Sequence, residues 1–149
     1  MERTGRVPSG TITAIYTVLT EGGASDPVAE EARSLLDGHV APSARLARAG
    51  RWPAVDPLRS VSRVMDAVVP EEQARDAAAL RRMLGAHAEH EDLILMGAYR
   101  SGACPDTDRA RAAMGRIREF LEQRAGEHTP VRETRAALRA LVAEKEERR

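Results

Sequence analysis

Between Gly10 and Leu19 the chain reads G-T-I-T-A-I-Y-T-V-L, with Ile12, Ile15 and Val18 set among Thr11, Thr13, Ala14 and Thr17. Branching at Cβ stiffens χ1 and suits extended backbone, so this run predicts a strand. It lacks a clean in-out alternation, which is the pattern of a strand covered on both faces. Yet the chain offers one further extended piece, His39-Val40-Ala41, stopped by Pro42. Two strands are too few for an independent sheet. The order strand, helix, strand, helix is that of an α/β domain, and this one has fewer strands than its core demands.

The remaining segments fall into place around that run. Met1–Ser9 is a polar lead-in, and Glu21-Gly22-Gly23-Ala24-Ser25 is a loop. Asp26-Pro27 predicts a capped helix start, with the helix running to about Leu36 and stopping at Asp37-Gly38. Ser43 is placed to cap a brief helix, Ala44–Ala49, with Gly50 as its exit. From Pro70 onward the pattern is helical. Ala77, Leu80, Leu84 and Ala88 recur at helical spacing. Leu93–Met96 reads as a buried run, Gly97 as a close contact or break, and Ser101–Pro105 as a turn. Asp106 is expected to cap a helix with Ala110, Ala113, Met114, Ile117 and Leu121 on one face, ended by Gly126. Thr129-Pro130 opens a last helix with a stripe of Leu138, Leu141 and Val142. The wholly charged end, Glu144–Arg149, is expected to fray. The expected division is residues 1–69 and 70–149.

Gly50–Met65, read G-R-W-P-A-V-D-P-L-R-S-V-S-R-V-M, holds the candidate site. It contains the only tryptophan, Trp52, before Pro53. A residue before proline is biased to extended backbone, which applies to Trp52 and Asp56. Turns are expected through Asp56-Pro57 and the Ser60-Val61-Ser62 run. The result is a stiff loop with an aromatic face at one end and the Arg63 guanidinium at the other. Such a loop suits a planar, negatively charged ligand. From composition alone the simpler reading is a tryptophan capping a core edge and an arginine paired with a surface carboxylate.

Composition removes several classes. Acidic and basic residues balance at 23 each, so no basic excess points to nucleic acid. All of the cations but Lys145 are arginine, a bias that fits a GC-rich coding sequence better than a ligand. No apolar run approaches the roughly 20 residues of a membrane span, and no signal-peptide pattern opens the chain, which leads us to expect a cytoplasmic protein. One cysteine, Cys104, excludes an internal disulfide and reads as an ordinary thiol without an activating partner. His87 and His90, with Glu91 beside them, could share a helix face. A metal there would need further ligands, and a solvated helix face is the simpler reading. His39 reads as a satisfied turn histidine. No G-x-x-x-x-G-K-[ST] phosphate loop occurs in these 149 residues, and no acidic residue closes a strand as a magnesium-holding aspartate would.

Taken together, the segments Gly10–Gly22, Asp26-Pro27, Ala32–Val40 (A-R-S-L-L-D-G-H-V) and Arg51–Met65 resemble the C-terminal third of the flagellar and type III secretion ATPases. These are relatives of the rotary ATP synthase catalytic subunit. E-D-L-I-L-M-G-A-Y (Glu91–Tyr99), Pro105-Asp106 and I-R-E-F-L (Ile117–Leu121) extend the resemblance in the same order. It implies the C-terminal fragment of a RecA-like nucleotide domain, with about two strands, followed by an all-helical domain. It also implies hexameric rings with ATP and Mg between subunits.

In that family Arg63 matches the arginine finger that reaches a neighbour's γ-phosphate. Trp52-Pro53 matches an adenine-side aromatic that is usually tyrosine. Sister subunits, export chaperones, substrates and a central stalk are the implied partners, with a peripheral place at the inner-membrane export apparatus. The family's phosphate loop and metal-holding aspartate lie upstream of what matches Met1. Its E-G-D-D is Glu21-Gly22-Gly23-Ala24 here, and its V-L-S-R is Ala41-Pro42-Ser43-Ala44. Two readings result. One is a truncated, split or fragmentary export ATPase that supplies Arg63 and Trp52 but does not hydrolyse ATP alone. The other is a non-catalytic module whose residues 70–149 bind a chaperone, a stalk protein or the full-length ATPase.

Overall fold

A computed structural model describes residues 5–19 and 26–143. The expected loop at Glu21–Ser25 and the charged end Glu144–Arg149 lie outside the described residues. The chain divides into two compact units, Met1–Leu36 and Asp37–Arg149.

In the first unit, β1 (Gly5–Val7) and β2 (Gly10–Ile12) form an antiparallel hairpin, and α1 spans Pro27–Leu35. The Asp26 carboxylate accepts from the Ala29 amide at 3.4 Å, where a helix cap was expected. The strand prediction needs correction. Regular pairing covers Gly10–Ile12 only, its partner comes from the lead-in, and Thr13–Leu19 has no regular secondary structure. A strand needs neighbours to take up its N–H and C=O groups, and a two-stranded hairpin offers few. Ile15 and Leu19 are consequently 94% and 90% exposed.

The second unit opens with β3 (Gly38–His39), then α2 (Ala44–Arg48), β4 (Val61–Ser62) and α3 (Met65–Val68). Ser43 caps α2 as expected, its hydroxyl accepting from the Leu46 amide. β3 and β4 pair antiparallel, Gly38 with Ser62 and His39 with Val61, and a bridge joins Pro42 to Val55. The Ser60–Ser62 run is therefore partly strand, where a turn was expected. The segment after Gly50 thus returns along the segment before Ser43, and α2 and the tryptophan loop span the gap.

The helices α4 (Glu71–Glu89), α5 (Glu91–Leu95), α6 (Pro105–Leu121) and α7 (Val131–Ala143) follow. Their core is Leu80 and Met83 from α4, Ala110, Ala113 and Ile117 from α6, and Leu138 and Leu141 from α7. Ala110 and Ala113 let α4 and α6 approach closely, and Ile117, at 1% exposed, fills the centre. Burying a side chain of that size contributes about 1.5–3 kcal/mol. Met83 escaped the sequence reading because Ala88, counted on the same face, is exposed.

Three helical expectations also change. Leu95 and Met96 are 78% and 71% exposed rather than buried, because α5 is only five residues long and buries none of them. α6 starts from Cys104 with Pro105 at its first position, so Asp106 lies in the first turn and is not the cap. It stops at Leu121 with Glu122 extended, and Gly126 (φ +85°) serves the later turn. Gly97 is a break, with φ +70°.

Candidate functional site

The tryptophan loop begins where α2 unwinds. Gly50 takes φ +70°, a left-handed exit that a side chain would strain. The Arg51 amide donates to the Leu46 carbonyl at 3.0 Å. The Trp52–Pro53 peptide is cis. The Trp52 carbonyl accepts from the Gln123 amide at 2.8 Å, just past α6, and Arg51 pairs with Glu122 at 3.8 Å. The loop is therefore fastened to the end of α6, while the indole stays 58% exposed. Trp52 and Pro53 line an open cleft with Gly50, Arg118 and the turn from Glu122 to Glu127.

Beyond Pro53 the chain is braced internally. The Asp56 carboxylate accepts from the Leu58 and Arg59 amides at 2.9 and 3.2 Å, fixing a turn from within. Ser60 donates its hydroxyl to the Asp56 carbonyl at 2.6 Å and accepts from the Ala41 amide at 3.0 Å. His39, read as a satisfied histidine, donates Nε2–H to the Arg59 carbonyl at 2.8 Å. β4 then delivers Arg63, whose amide donates to the Asp37 carbonyl at 2.7 Å and whose side chain is exposed. Trp52 and Pro53 thus share one cleft. Arg63 is not among the residues lining it, and stands at the far end of the same braced segment.

Sequence reasoning missed three members of this frame. Gln123 and Glu122 hold the tryptophan end, and Arg81 of α4 donates to carbonyls of the 57–60 turn. The Gln123 and Arg81 contacts are to backbone and carry no sequence signature, and the Glu122 ion pair joins residues far apart in the chain.

The other candidates separate. His87 lines a smaller cleft of about 160 Å³ behind Pro53, between the loop, α4 and α6. Burial pushes its pKa below the usual histidine value, Arg118 and Arg111 add to this, and Glu91 opposes it. His90 points elsewhere, so the shared solvated face is not found. Its Nδ1–H donates to the Ala86 carbonyl at 2.8 Å, its Nδ1 stands 3.0 Å from the Thr107 hydroxyl, and its ring packs edge-on to Tyr99. Among the described residues no group of three His, Cys, Asp or Glu side chains could hold a metal. Cys104 does have an activating partner: hydrogen bonds from Thr107 hold its thiol below the usual range. Among the described residues no helix is long and apolar enough to cross a membrane.

Comparison with known proteins matches this arrangement along nearly the whole chain. Residues 69–140 match the T3SS EscN ATPase C-terminal domain, and residues 1–62 match the nucleotide-binding domain of the ATP synthase alpha/beta family. The type 3 secretion system ATPase of Sinorhizobium fredii is 49% identical over 90% of this chain and 30% of its own length. The flagellum-specific ATP synthase of Pseudomonas aeruginosa is 44% identical over 96% of this chain and 32% of its own. Among solved structures, the assembled ATPase EscN of enteropathogenic E. coli in complex with its central stalk EscO superposes with a TM-score of 0.86. It is 37% identical over 95% of this chain and 34% of that one. The chain therefore spans about a third of the length of the curated relatives it matches.

Proposed function

The chain belongs to the flagellar and type III secretion ATPase family, matching its C-terminal part, and from that premise we propose that it completes an ATP site whose phosphate-binding residues lie on another subunit. Arg63 is the finger in this reading. A guanidinium held at the end of a braced segment neutralises charge on the γ-phosphoryl oxygens, and loss of such a finger typically costs about 10³- to 10⁵-fold in rate. Trp52 and Pro53 form the adenine side, the exposed indole offering a π face above an open cleft. ATP and Mg are then held jointly, with the phosphate loop and the metal-holding aspartate supplied by the neighbour. The observation that carries this reading is the placing of an exposed Trp52 and an exposed Arg63 on one segment, fastened at both ends.

The helical part, from about residue 70, serves as the docking domain. Leu93, Leu95 and Met96 leave an apolar tip at α5 that suits a helical partner. EscN, a solved relative, is assembled and in complex with its central stalk EscO. By analogy, sister subunits, a stalk protein and export chaperones with their cargo are the partners here, at the cytoplasmic face of the inner-membrane export apparatus. The same tip is what favours the second reading, a non-catalytic module that binds these partners without serving an ATP site.

The deciding experiment mixes the chain with a relative whose own finger has been replaced by alanine and measures ATP hydrolysis. The chain alone is expected to give no turnover. The mixture is expected to recover activity, and Arg63→Ala in this chain abolishes the recovery. Recovery that survives Arg63→Ala, or no recovery with retained binding, would replace the finger reading with the docking one.

A further inference from the structure

Arg81 lies on an exposed face of α4, distant in sequence from both Trp52 and Arg63. Its guanidinium donates through Nη1 to the carbonyls of Pro57 at 2.7 Å and Ser60 at 3.1 Å, and through Nη2 to that of Leu58 at 3.4 Å. These carbonyls converge because the amides of the same turn face the other way. Leu58 and Arg59 donate to the Asp56 carboxylate, and Ser60 donates to the Asp56 carbonyl at 3.0 Å. The turn therefore presents a concentrated negative edge to a single cation. A guanidinium, with five donors in a fixed plane, suits three oxygens at once, whereas an ammonium is a point donor.

The place of this contact in the chain gives it a function. The turn lies between the tryptophan loop and β4, and it is held on the other side by His39 and Ser60 to the β3 segment. Arg81 is the tie from α4, and α4 is the helix that carries Leu80 and Met83 into the core with α6 and α7. A displacement of α4 is thus passed to the turn and along β4 to Arg63. We propose that Arg81 is a positioning residue that sets where Arg63 is presented and links the helical part to it. The inference rests on the finger reading of Arg63 given above.

Two measurements on Arg81→Gln and Arg81→Lys test it. In the isolated chain, hydrogen exchange of the peptide covering residues 57–63 is expected to quicken about tenfold in Arg81→Gln, with α6 and α7 unchanged. In the mixture with the finger-less relative, Arg81→Gln is expected to lower kcat about tenfold at unchanged KM for ATP. Arg81→Lys, which keeps the charge but not the fork, falls between Arg81→Gln and the unmodified chain. A merely structural role would lower the melting temperature and leave the kcat of the folded fraction intact. Failure of the unmodified chain to stimulate overturns the finger reading and this proposal with it. Stimulation that Arg81→Gln leaves intact, or exchange at 57–63 that it leaves unchanged, overturns the Arg81 assignment alone.

Discussion

A Cβ built on Gly38 would stand 2.5 Å from the carbonyl oxygen of Val61. That distance is a backbone clash, so only glycine lets β3 and β4 pair and bring Arg63 to its place. Gly38→Ala is expected to cost about 1–3 kcal/mol of stability, since overpacking forces backbone shifts. The check is urea denaturation, and a midpoint within error of the parent would show that the strands part without penalty. In the sequence, Gly38 looked only like a helix stop after Asp37. Its second duty came from the partner strand, which the Ser-Val-Ser run concealed. His87 carries a pH prediction. Burial, with Arg118 and Arg111, places its folded pKa below the 6.5 of the unfolded chain. Between those two values the unfolded chain holds the extra proton. Stability from this group is therefore full above about pH 6.5 and declines as pH falls through that window. His87→Gln is expected to flatten this slope, read as the denaturation midpoint at pH 7.5 against pH 5.5. An unchanged slope would mean that other groups set the acid response.

At the scale of elements, the start of α6 shows how one hydroxyl joins two helices. Thr107 is fully buried, donates to the Ala86 carbonyl at 3.0 Å and stands 3.0 Å from His90 Nδ1. Tyr99 closes the other side, its hydroxyl bonded to both the amide and the carbonyl of Cys104 at 3.2 Å, with Arg111 over its ring. Thr107→Val keeps the shape and removes the bonds. It is expected to cost about 1 kcal/mol, since the Thr107 bond is lost while the Ala86 carbonyl keeps its bond from His90 Nδ1–H. It also moves the pH profile of Cys104 alkylation part of the way upward, because the thiol loses the side-chain hydrogen bond of Thr107 but keeps the backbone ones of Thr107 and Asp106. Alkylation with an unmoved profile would remove Thr107 as the cause. The apolar stripes of α6 and α7 were legible because their period repeats over several turns. The α4–α6 junction was not, because Thr107, His90 and Tyr99 come from three segments and none belongs to a hydrophobic pattern. The α5 run was misread for a related reason: Leu93–Met96 is apolar in composition, but one helical turn lacks the length to be covered.

At the scale of the whole molecule, the two units differ in what supports them. Among the described residues, Asp37–Arg149 has a core of seven buried apolar residues shared by three helices. Among the described residues of Met1–Leu36 are a hairpin of two three-residue strands, a stretch without regular pairing and α1, in which Ala29 and Ala32 are buried. The composition of Gly10–Leu19 asked for a covered strand, and the structure pairs only Gly10–Ile12 and leaves the rest exposed. Strand identity, however, is a property of a sheet, and among the described residues the run finds only the three-residue partner β1. Local opening costs little where few apolar contacts and few paired amides resist it. Amides from Thr13 to Leu19 are therefore expected to exchange near the unprotected rate, while those of α4 and α6 exchange only with global unfolding. Deleting residues 1–36 is expected to leave the main thermal transition within a few degrees, since a change of about 1 kcal/mol moves Tm by only about 4 °C in a domain of this size. A drop well beyond that range would mean that the second unit draws stability from the first, and strong protection across Thr13–Leu19 would mean that this stretch is held by more than its own contacts.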